Sequence, residues 1–76
     1  MKHELKIQQV YLDALLSGEK TFEVRLNDRG YQKGDWLCFC YDNIKADFEV
    51  TYIHSGLGLA PNYVVMSVIR KESTAK

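Results

Sequence analysis

Apolar and polar residues alternate at the start of the chain: His3, Leu5 and Ile7 share one parity and Glu4 and Lys6 the other, as in a strand with one inward face. The period then lengthens. Across residues 8–17, Val10 with Ala14, Tyr11 with Leu15 and Leu12 with Leu16 stand four apart, and Gly18 sits where a helix C-cap belongs. One short helix with a broad apolar face is predicted. A period of two returns over residues 21–26, with Phe22, Val24 and Leu26 on one side and Thr21, Glu23 and Arg25 on the other, and the apolar set is expected to face the core. Asn27-Asp28-Arg29-Gly30 and Gly34-Asp35 carry turn chemistry. Residues 36–41 form a third strand, and Asp42-Asn43 turns the chain into a fourth over residues 44–53, so that the two make a hairpin. In that fourth strand Ala46, Phe48, Val50 and Tyr52 share one face. Residues 63–69 are almost wholly apolar, the pattern of a strand buried on both faces.

Five strands and one helix in 76 residues predict a mostly β, α+β domain: a small, mainly antiparallel barrel with the helix over one opening, spanning residues 1–72, and a flexible tail at 73–76. Two separate cores cannot be built from this length. At 46% hydrophobic and 26% charged residues the composition is that of a folded chain. No apolar stretch approaches the ~20 residues of a membrane span, and Met1-Lys2-His3-Glu4 opens no signal peptide, so no membrane association and a cytoplasmic address are expected.

Ten Lys and Arg balance ten Asp and Glu, which excludes a strong basic field for long nucleic acid and favours short or single-nucleotide ligands at a local patch. The two cysteines, Cys38 and Cys40, read as reduced thiols. A Cys-x-Cys pair can ligate a soft metal, but His3 and His54 are isolated in the sequence, so the pair is expected to pack as small hydrophobes, with no metal site and no cofactor.

The chemistry concentrates in Gly18-Glu19-Lys20-Thr21-Phe22-Glu23-Val24-Arg25, where a helix-ending glycine leads into a strand. Thr21, Glu23 and Arg25 recur about every 7 Å along one face, with Lys20 at the corner. Arg25 can hold a phosphate or a base edge through its planar fork, Lys20 can act as a point charge, and Glu23 can accept from a base amino group. Alternatively, Glu23 and Arg25 pair with one another on an exposed strand face, worth roughly 0 to 1 kcal/mol. Lys6, Arg29, Lys33 and Lys45 are further cations, and Tyr11, Tyr31, Trp36 and Tyr41 are candidate stacking surfaces, with Tyr31 foremost because it lies in a loop. His54 has two readings, a proton donor near neutral pH or a loop histidine bonded to backbone.

The spacing G-x-K-x-x-E-x-R resembles the hallmark of the ASCH domain, a branch of the PUA-like superfamily of small RNA-associated β-barrels. The flanking His3-Glu4-Leu5-Lys6-Ile7, Asn27-Asp28-Arg29, Gly34-Asp35, Gly56-Leu57-Gly58-Leu59 and Tyr63-Val64-Val65 resemble a compact bacterial and phage subgroup of that family. The resemblance covers nearly the whole chain. It departs in a short turn at Asp42-Asn43 and in Ala60-Pro61-Asn62, where a glycine often precedes the tyrosine. It implies a five-stranded PUA-like barrel that binds RNA, a nucleotide or a nucleoside through Lys6, Lys20, Glu23, Arg25, Arg29 and Tyr31. A second implication is a minimal hydrolase acting on N-acylated cytidine nucleosides or on RNA, with Lys20 activating Thr21 or a water and Glu23 shuttling the proton. Against turnover, the sequence has no Ser/His/Asp order and no metal set. A third class is a phage-type accessory protein that binds a host protein through an inert barrel.

Overall fold

The computed structural model describes residues 1–71, and the predicted tail at 73–76, with its boundary at residue 72, lies outside the described residues. The elements follow one another as β1 (Lys2–Lys6), α1 (Gln9–Ser17), β2 (Phe22–Leu26), β3 (Trp36–Tyr41), β4 (Ile44–Ser55) and β5 (Tyr63–Lys71). All five strands join one curled sheet in the order β1-β3-β4-β5-β2. β1 runs parallel to β3, and every other pairing is antiparallel. The predicted hairpin is present: Tyr41 pairs with Ile44, and Asp42 takes the left-handed conformation at φ 54° that a tight turn requires.

The core lies on the concave side, where Leu5, Leu37, Phe39, Ala46, Phe48, Val50, Val64, Met66 and Val68 meet Leu12 and Leu15 of the helix. α1 is short and its start lacks a side-chain cap. Its end is firmer: Gly18 adopts φ 84°, and the N–H groups of Gly18 and Lys20 donate to the carbonyls of Leu15 and Ala14. Only Leu12 and Leu15 are buried, whereas Val10, Tyr11 and Leu16 are exposed, so the inward stripe is narrower than the broad apolar face predicted.

Three strand predictions are corrected. In β2 the apolar row faces outward: Phe22, Val24 and Leu26 are 44–46% exposed, while Glu23 is 5% exposed and sits opposite buried Met66. In β4, Val50 pairs with Val68 but Tyr52 pairs with Ser67, so Thr51 is an inserted bulge residue that exchanges the two faces. Tyr52 is therefore exposed, unlike Ala46, Phe48 and Val50. The Thr51 hydroxyl donates to the Ser67 carbonyl and fixes the bulge. In β5 only Val64, Met66 and Val68 are buried, and Ile69 on the opposite parity is exposed, so the strand is fully covered on one face rather than both.

The two edge strands, β1 and β2, share no backbone ladder. The sheet is a curled half-barrel with an open seam. The Arg25 guanidinium spans the seam, its Nη2 donating to the Lys6 carbonyl at 2.7 Å.

Because the β2 apolar row lies outside, Val24→Ser should change stability by no more than about 1 kcal/mol. Met66→Ala should cost about 2–5 kcal/mol. Urea unfolding of the two variants checks this, and the reverse order would mean that β2 is registered with its apolar row inward.

Candidate functional site: a cleft at the sheet seam

The seam opens into a cleft of about 380 Å³. One wall comes from Leu5, Lys6, Ile7 and Gln8, the other from residues 23–26, and Tyr11, Asp28, Arg29, Tyr31 and Tyr63 complete it. Glu23 lies at its floor. A carboxylate so buried needs compensating cations, and two flank it on opposite oxygens. Lys20 Nζ donates to Oε1 at 3.3 Å, and Arg25 Nε donates to Oε2 at 2.7 Å. Local structure brings them there: the helix-end bond from the Lys20 N–H sets the corner, and the strand period carries Glu23 and Arg25 to one face.

Both cations also lie against aromatic rings. Lys20 Nζ is 4.6 Å from the Tyr11 ring centre and 5.4 Å from that of Phe22, and Arg25 Cζ is 5.9 Å from that of buried Phe39. The Arg25 fork is thus committed to Glu23 and to Lys6, which leaves only part of its donor set for a ligand. Thr21 precedes β2 and is exposed. Among the described residues no hydrogen bond joins its hydroxyl to Lys20 or Glu23, although its carbonyl accepts from the Val68 N–H.

Arg29 and Lys6 line the cleft as exposed cations. Tyr31, expected as an open loop platform, is buried with its ring edge-on to His3 at 4.9 Å. Asn27 holds it there by accepting from the Tyr31 N–H at 2.9 Å. Burial pushes the Tyr31 phenol above its ordinary pKa, against the opposing pull of Arg25 and Arg29, so the hydroxyl is a neutral donor in the cleft wall. Lys33, Trp36, Tyr41 and Lys45 lie outside this cleft, and Lys45 lines a separate hollow with Lys2, Cys38 and Asp47.

Of the two readings of His54, the structure shows the loop histidine bonded to backbone: its Nε2 bonds the Leu57 carbonyl at 2.9 Å and braces the following loop. His3 is buried, and its Nε2 lies 2.9 Å from Asp35 Oδ2, which also accepts from the Gln32 N–H, while Oδ1 receives the amino group of Met1. No local sequence signal pairs residues 32 positions apart. This hub ties the start of β1 to the loop that carries Tyr31. Among the described residues no group of three or more His, Cys, Asp or Glu side chains is gathered as a metal would need, and no helix is long and apolar enough to cross a membrane.

A second hollow of about 530 Å³ lies under residues 55–64, lined by Asn27, Leu59, Pro61, Asn62 and Tyr63 among others. It is larger but presents no charged side chain. The seam cleft gathers three cations against two carboxylates, with three tyrosines, and is the candidate site.

The molecule is thus a small mostly β, α+β domain with a polar cleft at its sheet seam. The chain belongs to the family described as a domain of unknown function (DUF3850), whose sequence profile matches residues 2–68. It is also similar to the "Uncharacterized 12.9 kDa protein in GpA 3'region" of Escherichia phage P2, with 29% identity over an alignment that covers 92% of this chain and 70% of the phage protein.

Two measurements follow. Burial alone would raise the Asp35 pKa, but the bonds from His3, the Gln32 N–H and the Met1 amino group outweigh it and hold the carboxyl below its ordinary value. A lowered folded pKa stabilises fully above the unfolded value of about 3.9 and is lost as pH falls through the folded value. Asp35→Asn should therefore cost about 1–3 kcal/mol at neutral pH, with the gap to wild type closing in acid, as urea titrations across pH would read. Burial, with the neighbouring Asp47 and Cys40, pushes the Cys38 thiol up to about 12, so iodoacetamide at pH 8 should spare Cys38 in the native protein and label it after unfolding.

Proposed function

We propose that the chain is a small RNA- or nucleotide-binding module that takes its ligand in the seam cleft, and that the half-barrel is of the ASCH and PUA-like kind. One observation carries the reading: in a chain with no net charge, Lys6, Arg25 and Arg29 outnumber Glu23 and Asp28 around a cleft that also presents the exposed rings of Tyr11 and Tyr63. Cations that follow a phosphate and aromatic faces that take a base are the two requirements of single-strand binding. Division of labour follows from burial. Glu23 and the inner part of Arg25 form the floor, Lys20 neutralises Glu23 from outside the cleft lining, and exposed Lys6 and Arg29, which form no ion pair among the described residues, meet phosphate at the mouth.

Binding is favoured over hydrolysis by the contacts of Lys20. Its ammonium is occupied by a carboxylate and two rings, and the hydroxyl it would activate, that of Thr21, is not bonded to it. The cleft volume, at the low end of the roughly 300–1,000 Å³ usual for small-molecule sites, suits one nucleotide at a time.

The test is fluorescence anisotropy with a short mixed-sequence single-stranded RNA across a salt series. Arg29→Ala and Lys6→Ala should each weaken binding, and each should lower the slope of log affinity against log salt by about 0.7, the share of one single-strand phosphate contact. Thermal unfolding of the same variants should stay at the wild-type value. Unchanged affinity and slope in both would remove the cleft from consideration, and a wild type that binds neither RNA nor nucleotide would turn attention to a protein partner.

A further inference from the structure

The cleft walls are strand edges, and this has a chemical consequence for what can bind between them. In an antiparallel pair the residues alternate between those bonded to the partner strand and those whose backbone groups point the other way. The Val68 N–H donates to the Thr21 carbonyl and the Asn27 N–H donates to the Asn62 carbonyl, which assigns the odd residues of β2 to the ladder with β5. The N–H and C=O groups of Phe22, Val24 and Leu26 therefore point to the seam. Among the described residues only the Leu26 carbonyl is taken, by the Asp28 N–H. The same reasoning applies to β1: the Met1 carbonyl accepts from the Trp36 N–H and the Ile7 N–H donates to Cys40, so the even residues of β1 face the seam too. There the Lys6 carbonyl is already held by Arg25.

Val24 and Leu26 both line the cleft, and so they offer it an unpaired acceptor, the Val24 carbonyl, next to an unpaired donor, the Leu26 N–H. Such a backbone edge pairs with a planar heterocycle that carries a donor beside an acceptor. Every nucleobase has that arrangement on its Watson–Crick edge, and the base orients to suit. We propose that β2 reads the Watson–Crick edge of an unpaired nucleobase through the backbone of Val24 and Leu26, so that the base extends the sheet edge as an added strand would. This rests on the nucleotide reading of the cleft and adds how the base is held. It makes the site tolerant of base identity and intolerant of any base whose Watson–Crick edge is already used or blocked.

The experiment compares uridine 5′-monophosphate with its N3-methyl derivative on the isotope-labelled protein, followed by amide NMR and calorimetry. The methyl group removes the ring donor and leaves the phosphate charge, the sugar and the stacking face unchanged. The expected result is a loss of affinity on the order of tenfold for the methylated nucleotide, together with a downfield shift of the Leu26 amide proton that only the unmethylated nucleotide produces. Leu26→Pro, which deletes the seam-facing donor without removing a ladder bond, should weaken binding of uridine 5′-monophosphate by removing the bond to its base oxygen, and unchanged affinity would overturn the role of the Leu26 N–H. Equal affinities in the wild type would overturn edge reading while leaving nucleotide binding in place. Absence of binding by both would overturn the nucleotide reading and this inference with it.

Discussion

A buried carboxylate governs the architecture of this domain. Glu23 points into the concave side of the sheet, where an unpaired charge would cost several kcal/mol, and it is retained because Lys20 and Arg25 reach its two oxygens from either side. That requirement sets the face of β2. Once Glu23 and Arg25 turn inward, the period of the strand sends Phe22, Val24 and Leu26 outward whatever their hydropathy. Arg25 is then placed to cross the seam to Lys6, so the same side chain neutralises the carboxylate and holds the two edges of the sheet at a fixed separation.

Closing a curled sheet with a side chain differs from closing it with backbone. A ladder between β1 and β2 would have used the edge groups of both strands and filled the seam. An arginine strut leaves the seam open, with the polar floor of Glu23 below and exposed Lys6 and Arg29 at the mouth. On the other side, the hub of Asp35, His3 and the Gln32 N–H fixes the loop from which Tyr31 projects toward the same cleft.

Much of this was legible in the residue pattern, and the exceptions have physical causes. The helix end at Gly18, the turn at Asp42-Asn43 and the five strands follow from local chemistry, and spacing alone gathers Lys20, Glu23 and Arg25. Period two divides β2 into two faces but does not say which is inward. The usual tie-break, hydropathy, fails because the two cations that make Glu23 acceptable inside are themselves on or beside that face. Tyr52 was misplaced for another reason, since one inserted residue, Thr51, reverses parity and leaves no mark in the alternation. Long-range pairings such as His3 with Asp35, the parallel register of β1 on β3 and the absence of Lys45 from the cleft arise from topology, on which periodicity is silent.

The strand order carries one more consequence. β3, β4 and β5 are consecutive in the chain and form an unbroken meander, whereas β1 and β2 attach to its two opposite margins. The first third of the polypeptide is therefore a clasp: two short strands joined by α1 that grip the meander at both sides and almost meet again across the seam. The meander can assemble from neighbouring segments, but each arm of the clasp must find a strand far along the chain, β3 for one and β5 for the other. The cleft exists only while both arms are seated. Release of either five-residue arm would open the cleft and leave the meander's own ladders in place, so the cleft depends on the seating of the clasp and not only on the global fold of the domain.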